Sequence, residues 1–364
     1  MAPRGNSLVA PRHIVTWLAT LSLAVGWIAP LHGQTRVILF VADGAGAGHW
    51  TIGLHSIGNM AVQEFPVVGL VDTRGDHHIV TESAAAATAY ATGLRTFPRA
   101  VGMGPDSQPR QTVLEAAKER GLSTGLVTTT LLTDATPAAF ATHVRNRIPL
   151  QIGRQMARAG VDVLLGGGRY VFEAGTSEDG TPLLDTMLPN YTYVTTADSL
   201  KALPLTRVRR LLGLFADQNM DLGFARSPSL ADMTQAALQV LEQNQRGFFL
   251  LVENEETDTQ AHQNQPYDVI AAEMITFDEA VRVGLEYQER HPETLLVVLG
   301  DHETGGLALQ PDSLGNVVTA YTTTGHTAEL IPVFARGPRA ERFAGIITNA
   351  RVGELLHAAV RRNP

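Results

Sequence analysis

The chain has 364 residues, with 28 Lys or Arg against 36 Asp or Glu and a formal net charge of −8. Hydrophobic residues make up 44% and charged residues 18% of the sequence, a composition that excludes disordered, collagen-like and polytopic membrane proteins. The acidic balance predicts no nucleic-acid-binding surface. Because the chain has no cysteine, disulfides, thiolate zinc sites and a cysteine nucleophile are excluded, and any zinc site must use histidine and carboxylates.

The N-terminus predicts an export signal. Arg4 and Arg12 precede an apolar run over residues 14–29, and the small residue Gly33 follows. This order is typical of a secretory signal peptide, so we expect residues 1–33 to be removed and the protein to be periplasmic or secreted. The run is short for a membrane span of about 20 residues, so no stable span is expected. An uncleaved N-terminal anchor is the alternative interpretation.

The remaining residues, 34–364, are interpreted as one domain of the α/β class. Short, continuous apolar runs predict strands buried on both faces of a mainly parallel sheet. These strands are expected at residues 37–42, 67–71, 125–129, 161–165, 248–252, 295–299 and 331–335. Helices that sandwich the sheet are expected at residues 228–243, 266–288 and 350–361. The less periodic segment around residues 174–221 is predicted to be a surface excursion of the same domain.

Polar side chains follow several predicted strands. Asp43, Glu253, Asp301 and His302 lie directly after a candidate strand or within three residues of its end. Ligands of open α/β sheets bind beyond the carboxyl ends of the strands. The sequence therefore predicts a functional site at that edge, although Asp43 before a glycine is also an ordinary turn former.

Ser83 precedes an alanine-rich run that predicts a helix. A serine at this position is either a structural N-cap or a hydroxyl placed in the positive potential of a helix N-terminus, where a nucleophile or a phosphoryl group is stabilised. No general base is adjacent in the sequence, so the functional interpretation requires activation by a metal.

Residues 252–262 contain four carboxylates and one histidine. Asp258 and His262 are spaced i, i+4, which places them on one face of a helix where they can chelate one zinc ion. Glu255 and Glu256 are interpreted instead as a solvated acidic loop. His302 and His326 add imidazoles near strand ends, whereas the other histidines, His49 among them, are interpreted as ordinary core or surface residues.

The segment from Asp134 to Arg147 starts with oxygen ligands and continues as a helix. Thr136 before Pro137 is also a normal helix start, and Arg147 is also readable as a solvated cation at a helix end. The segment alone does not decide between these roles.

Together, the motifs resemble those of the alkaline phosphatase family of metal-dependent phosphomonoesterases, over residues 37–360. The resemblance lies in the order of Asp43-Gly44, Ser83 before small residues, the run 134–138, a strand into Glu253, Asp258 with His262, the run 301–306 and Gly325-His326-Thr327. It implies an alkaline-phosphatase-like fold, phosphate monoesters as substrates, and a phosphoserine intermediate on Ser83 formed by a two-metal in-line displacement.

The resemblance also implies two zinc ions and one magnesium ion. The implied ligands are Asp258, His262 and His326 for one zinc, Asp43, Asp301 and His302 for the other, and Asp134, Thr136 and Glu253 with a bridging Asp43 for magnesium. Arg147 is implied to hold two oxygens of the phosphoryl group. The division agrees with ligand chemistry, since zinc favours imidazole and magnesium favours oxygen.

Three positions depart from the family pattern, and one of them is Asn254, which replaces a frequent glycine. Glu82 stands where an aspartate usually precedes the serine, so its contact to Arg147 must be made by a longer side chain. Thr259 replaces a frequent cation. The chain is short for the family and a homodimer is an open possibility. A phosphodiesterase of the same superfamily and a non-catalytic exported phosphate- or metal-binding protein are the alternatives; Arg147 and the full oxygen-ligand set favour the monoesterase.

Overall fold

The computed structural model describes Met1 and residues 34–361. Apart from Met1, the predicted signal segment lies outside the described residues. The strands are β1 Thr35–Ala42, β2 Val67–Asp72, β3 Ser123–Leu131, β4 Val163–Gly167, β5 Thr192–Val194, β6 Leu211–Leu214, β7 Gly247–Asn254, β8 Thr294–Leu299, β9 Glu303–Thr304, β10 Ala308–Pro311, β11 Val317–Ala320, β12 His326–Thr327, β13 Ile331–Arg336 and β14 Gly345–Thr348.

The α-helices alternate with these strands. They are α1 Ala47–Ile57, α2 Ser83–Thr92, α3 Val113–Glu119, α4 Ala135–Ala141, α5 Pro149–Ala159, α6 Arg169–Ala174, α7 Leu183–Met187, α8 Ala197–Lys201, α9 Leu230–Leu241, α10 Glu256–His262, α11 Tyr267–Arg290 and α12 Asn349–Val360. In residues 34–361, none of the helices is both long and apolar enough to cross a bilayer.

A ten-stranded sheet organises the chain, in the order β14-β2-β13-β8-β1-β7-β3-β4-β6-β5. Neighbouring strands are parallel except for β13, which runs antiparallel to both β2 and β8. The pairs β10–β11 and β9–β12 form two small antiparallel sheets. The predicted fold class, a mainly parallel sheet between helices, is confirmed.

The central strand β1 shows why its sequence is continuously apolar. Val37, Leu39 and Val41 pack into the apolar layer that contains α2, α3, α4, α5 and α12, while Ile38 and Phe40 pack into the layer that contains α1, α9 and α11. All five side chains are buried. Successive side chains of a strand point to opposite faces of the sheet, so a strand covered on both faces needs apolar residues at odd and even positions alike.

The segment around residues 174–221 differs from the prediction of a surface excursion. It contains short helices, but its strands β5 and β6 complete one edge of the central sheet. The four residues of β6, Leu211–Leu214, are all buried and pair with β4. This segment is therefore partly integral to the sheet, and its short strands carry too few residues for a clear periodic pattern.

Candidate active site

Four adjacent parallel strands, β8, β1, β7 and β3, end at the same edge of the sheet. Asp43 follows β1, Glu253 is the penultimate residue of β7, and Asp301 and His302 follow β8. The carboxyl ends of parallel strands lie side by side, so residues that are far apart in sequence meet there. The predicted edge thus carries these four side chains.

Asp43, Asp301 and His302 form a buried group of possible metal ligands. The His302 Nε2 atom lies 3.4 Å from Asp43 Oδ1 and 3.3 Å from Asp301 Oδ2. The other Asp301 oxygen, Oδ1, accepts hydrogen bonds from the backbone amides of Gly44 and His302, each at 3.0 Å. These amides fix the Asp301 carboxylate, so its Oδ2 atom stays directed at the imidazole.

Asp258, His262 and His326 form the second group. His262 Nε2 lies 3.2 Å from Asp258 Oδ2 and 3.0 Å from His326 Nε2. The Nδ1 atom of His262 lies 2.5 Å from the Thr324 carbonyl oxygen, and that of His326 lies 3.0 Å from the Thr81 carbonyl oxygen. Carbonyl oxygens only accept, so each Nδ1 donates, and Nε2 is the nitrogen of each ring that could bind a metal once it is deprotonated.

His302 links the two groups. Its ring stacks on that of His326 with 3.7 Å between centroids, and Asp258, His302 and His326 also satisfy the spacing of a metal-ligand triad. The hydrogen bond from His262 helps to hold the pKa of Asp258 well below its usual value against the opposing effect of burial, and it raises the pKa of His262 to about 9. The two groups are therefore one continuous array of carboxylates and imidazoles.

Ser83 is the first residue of α2 and lies beside this array. Its Oγ atom is 3.3 Å from His302 Nε2, and the residue is 8% exposed. The preceding residue Glu82 caps the helix by accepting from the amides of Ala84 at 3.1 Å and Ala85 at 2.7 Å. Glu82 therefore performs the N-cap role, and the Ser83 hydroxyl is directed to the ligand groups.

The oxygen-bearing residues predicted for a third site lie on another side of the same cavity. Asp134 caps α4 by accepting from the Ala135 amide at 2.7 Å. Glu253 accepts from the Thr128 hydroxyl at 2.6 Å, and its burial raises its pKa to about 8. The hydroxyl of Thr136 is buried and has no hydrogen-bond partner. The cavity thus presents oxygens without imidazole on this side.

Arg147 supplies a fixed positive charge at this side. It is hydrogen-bonded to Asp134 and lies 3.6 Å from Glu82, and 29% of its side chain is exposed. The longer side chain of Glu82 therefore does reach Arg147. A guanidinium held by two carboxylates is oriented, and its planar fork suits a phosphoryl group.

A cavity of about 270 Å³ joins these parts. It is lined by Asp43, Ser83, Asp134, Ala135, Thr136, Arg147, Glu253, Glu255, Asp258, His262 and His326. Burial, and secondarily the charge of Asp301, raises the pKa of Asp43 well above its usual value. Asp43 Oδ1 and Asp301 Oδ2 are buried without a hydrogen-bond donor. Burying a carboxylate oxygen without a partner costs free energy, and a bound cation would offset that cost. The residues therefore fit the metals that the resemblance implies.

Some neighbours of the site are not identified by sequence patterns alone. Thr304, within the run 301–306, donates to the Asp258 carboxylate, and Thr128, one of three consecutive threonines in β3, donates to Glu253. Threonines are common in strands, so the sequence does not distinguish these hydroxyl contacts. His49 on α1 is fully buried with both ring nitrogens unpartnered, and burial lowers its pKa to about 4. It is thus a core residue, as predicted, but one beside the site.

Glu255 and Glu256 differ from the predicted solvated loop. Glu256 is 2% exposed and both its carboxylate oxygens have donors, Asn219 at 3.2 Å and Gln260 at 3.0 Å. Glu255 lines the cavity, and burial, with the charges of Glu256 and Asp134, raises its pKa well above the usual value. The fold buries Glu256 and partly buries Glu255 because α10 starts directly at the end of β7.

Comparisons with known proteins agree with this geometry. The alkaline phosphatase family model matches residues 35–320. The chain is 36% identical to the repressible alkaline phosphatase of Saccharomyces cerevisiae over 76% of this chain and 56% of that protein, so it spans about half the length of this relative. It is 28% identical to alkaline phosphatase 3 of Bacillus subtilis, with 97% of both chains covered.

A solved structure is similar over nearly the whole chain. A mutant of the alkaline phosphatase of the Antarctic bacterium TAB5, solved with magnesium bound, superimposes with a TM-score of 0.82 and 29% identity, covering 92% of this chain and 99% of that chain. The motif order, the fold and the family match are mutually consistent. The chain belongs to the alkaline phosphatase family, a family of phosphoric monoester hydrolases, as its motifs predict.

Proposed function

We propose that this protein hydrolyses phosphate monoesters through a phosphoserine formed on Ser83. The observation that carries the proposal is the position of the Ser83 hydroxyl, 3.3 Å from His302 and in one cavity with Asp43, Asp258 and Arg147. A serine at the meeting point of two metal-ligand groups and an oriented guanidinium has the arrangement required for phosphoryl transfer.

The proposed zinc ligands are the residues of the two groups on the imidazole side: Asp258, His262 and His326 for one ion, Asp43, Asp301 and His302 for the other. The proposed magnesium ligands are Asp134, Thr136 and Glu253, with Asp43 shared between sites. Two zinc ions held there would lower the pKa of the serine hydroxyl and stabilise the leaving oxygen. Magnesium is supported by the oxygen-only ligand set and by the magnesium bound in the TAB5 mutant.

The residues of the cavity have distinct roles in the proposed reaction. Ser83 Oγ attacks phosphorus, the bond from phosphorus to the ester oxygen breaks, and the alcohol departs with a proton. Water attacks the phosphoserine next, and Ser83 leaves with a proton restored to its oxygen. Arg147 holds phosphoryl oxygens during both displacements, while Glu82 and Asp134 keep its guanidinium oriented.

The choice of a monoester over a diester rests on charge. A monoester presents a dianion, and Arg147 with the third site offers positive charge to the extra phosphoryl oxygen that a diester lacks. A panel of aryl and alkyl monoesters and the matching diesters tests this substrate class. We expect kcat/KM to be larger for each monoester than for its diester; a preference for the diesters would identify a phosphodiesterase of the same superfamily, and binding without turnover a non-catalytic protein.

We further propose that the protein is exported to the periplasm or secreted, because of its N-terminal pattern of basic, apolar and small residues. N-terminal sequencing of protein recovered outside the cytoplasm is expected to begin at Gln34. A chain that still begins at Met1 would show that the segment is not cleaved.

A further inference from the structure

Glu255 lies at a position that the proposed ligand sets do not use. It follows β7 directly, precedes the first residue of α10, and lines the same cavity as Asp134, Thr136 and Glu253. Its backbone amide donates to the Thr129 hydroxyl at 3.0 Å, which ties this junction to β3. The main chain of Glu255 is therefore fixed beside the oxygen-bearing side of the cavity.

The two carboxylate oxygens of Glu255 have unequal surroundings. Oε1 accepts from the Thr259 hydroxyl at 2.7 Å. Oε2 is buried and has no hydrogen-bond partner. The adjacent Glu256 is the internal comparison, because both its oxygens have donors. Glu255 alone of these two glutamates presents a free acceptor.

A buried carboxylate oxygen requires a donor or a cation to offset the loss of hydration. The only guanidinium lining this cavity within the described residues, Arg147, is already held by Asp134 and lies near Glu82. The neighbouring Asp134 and Glu253 are acidic residues and offer this oxygen no positive charge. The Thr136 hydroxyl is likewise unpartnered and almost fully buried. A cation on this side of the cavity would serve all of these groups.

We infer that Glu255 is a positioning residue of the third metal site, whose free carboxylate oxygen accepts hydrogen bonds from the hydration shell of the bound magnesium. The inference rests on the proposed assignment of that site to magnesium. Magnesium keeps several waters when it binds to proteins. These waters can donate hydrogen bonds to an acceptor that lies beyond the direct ligands. Partners of this kind typically contribute about 10-fold to 100-fold in metal affinity.

The test is direct magnesium binding to the zinc-loaded full-length protein, measured by isothermal titration calorimetry with elemental analysis for both metals. Glu255→Gln keeps an oxygen for Thr259 and replaces the free acceptor by a donor. We expect it to weaken magnesium binding at least about 10-fold while leaving the zinc content unchanged. Glu255→Asp, which keeps the charge but shortens the side chain, should bind magnesium more tightly than Glu255→Gln.

Two control variants separate this role from general effects. Glu256→Gln removes one negative charge at the next residue, and Thr259→Val removes the donor to Oε1 while leaving Oε2 intact. Both should bind magnesium within about 3-fold of the wild type, below the effect typical of an outer partner.

Magnesium binding by Glu255→Gln that equals the wild type would overturn the inference and leave the proposed function standing. Equal losses in Glu255→Gln and Glu256→Gln would also overturn it, because charge alone would then explain the effect. A wild type that binds zinc and turns over monoesters but binds no magnesium would instead reject the third-site assignment, and this inference with it.

Discussion

The cavity of the candidate site has two unlike sides. The imidazole wall is defined as the two ligand groups, which comprise Asp43, Asp258, His262, Asp301, His302 and His326. The oxygen wall consists of Asp134, Thr136, Glu253 and Glu255. On the imidazole wall the ligand atoms face one another directly, with nitrogen–oxygen separations such as 3.2 Å and 3.3 Å. On the oxygen wall, threonine hydroxyls donate hydrogen bonds to the carboxylates, and Arg147 forms an ion pair with one of them.

Under the proposed function, this difference would let one sheet edge select two kinds of cation. Backbone carbonyls orient His262 and His326 so that each presents Nε2, which suits zinc. The oxygen wall has acceptors and a hydroxyl but no imidazole, which suits a hard, hydrated cation. Ser83 lies beside His302 on the imidazole wall, while Arg147 extends from the oxygen wall. Both walls therefore act on one phosphoryl group in the account proposed above.

Removing the imidazole that links the two ligand groups should have the largest effect. His302→Ala is expected to lower kcat/KM by more than about 100-fold and to reduce zinc content, because a direct ligand should matter more than an outer partner. Steady-state kinetics and elemental analysis measure both. His55→Ala, an exposed histidine on α1, is the control and should retain full activity; equal losses would show that His302 has no special role.

Changing the guanidinium tests the oxygen wall next. Arg147→Lys is expected to reduce monoester kcat/KM about 10-fold to 100-fold, since a charged hydrogen bond is worth about 1.5–3 kcal/mol and an ammonium cannot make the forked contact. Residual diester turnover and inhibition by phosphate are measured in parallel. Arg145→Lys is the matched control, two residues away and exposed. Equal losses on monoester and diester would mean that Arg147 does not discriminate between them.

Placing an imidazole on the oxygen wall should make the two walls alike. Asp134→His is expected to bind a third zinc and to lose most of its activation by magnesium, because imidazole favours zinc over magnesium. Elemental analysis of the wild type should find two zinc and one magnesium per chain. A wild type saturated by zinc alone, with no response to magnesium, would contradict the distinction between the walls.

The smallest effect concerns stability without metals. Burial raises the pKa of Glu253 from 4.5 to about 8, and the hydrogen bond to Asp258 raises the pKa of His262 from 6.5 to about 9. Each group binds its proton more tightly in the folded chain, so the stability it contributes is present at low pH and is lost as pH rises through these values. The Tm of chelated protein should fall by a few degrees between about pH 7 and pH 9.

Calorimetry with and without added zinc and magnesium measures this fall. Metals bind the deprotonated ligands, so the loaded protein should lose less stability over the same pH interval. Glu253→Gln in the chelated protein should reduce the fall, since it removes one of the groups whose pKa is raised in the folded chain. A Tm that rises from pH 7 to pH 9 in the chelated wild type would reject these pKa assignments.

The sequence predicts the fold well where strands are long and central. The runs around Phe40 and Val297 lie in β1 and β8, which are buried on both faces and therefore continuously apolar. Edge strands are not buried on both faces and are not continuously apolar. In β14 the side chain of Ile346 is 69% exposed, and β5 has only three residues. Their pairing depends on neighbours supplied by distant parts of the chain, which no local pattern contains.

The candidate site likewise has parts that the sequence predicts and parts that it does not. Its charged residues and imidazoles follow strands or share a helix face, so their spacing already predicts proximity. No sequence pattern indicates that the hydroxyls of Thr128 and Thr304 donate to these residues, or that Glu255 and Glu256 are withdrawn from solvent. These features arise from the junction of β7 with α10 and from its packing against β3, and only the folded chain shows them.

The most direct test of the central claim is to trap the intermediate. Zinc- and magnesium-loaded protein is mixed with a ³²P-labelled monoester, quenched in acid during turnover, digested and mapped by mass spectrometry. The proposed function predicts one phosphorylated residue, Ser83, and no label in Ser83→Ala, whose turnover should fall by orders of magnitude. Label on any other residue, or Ser83→Ala with wild-type turnover, would contradict the role assigned to this serine.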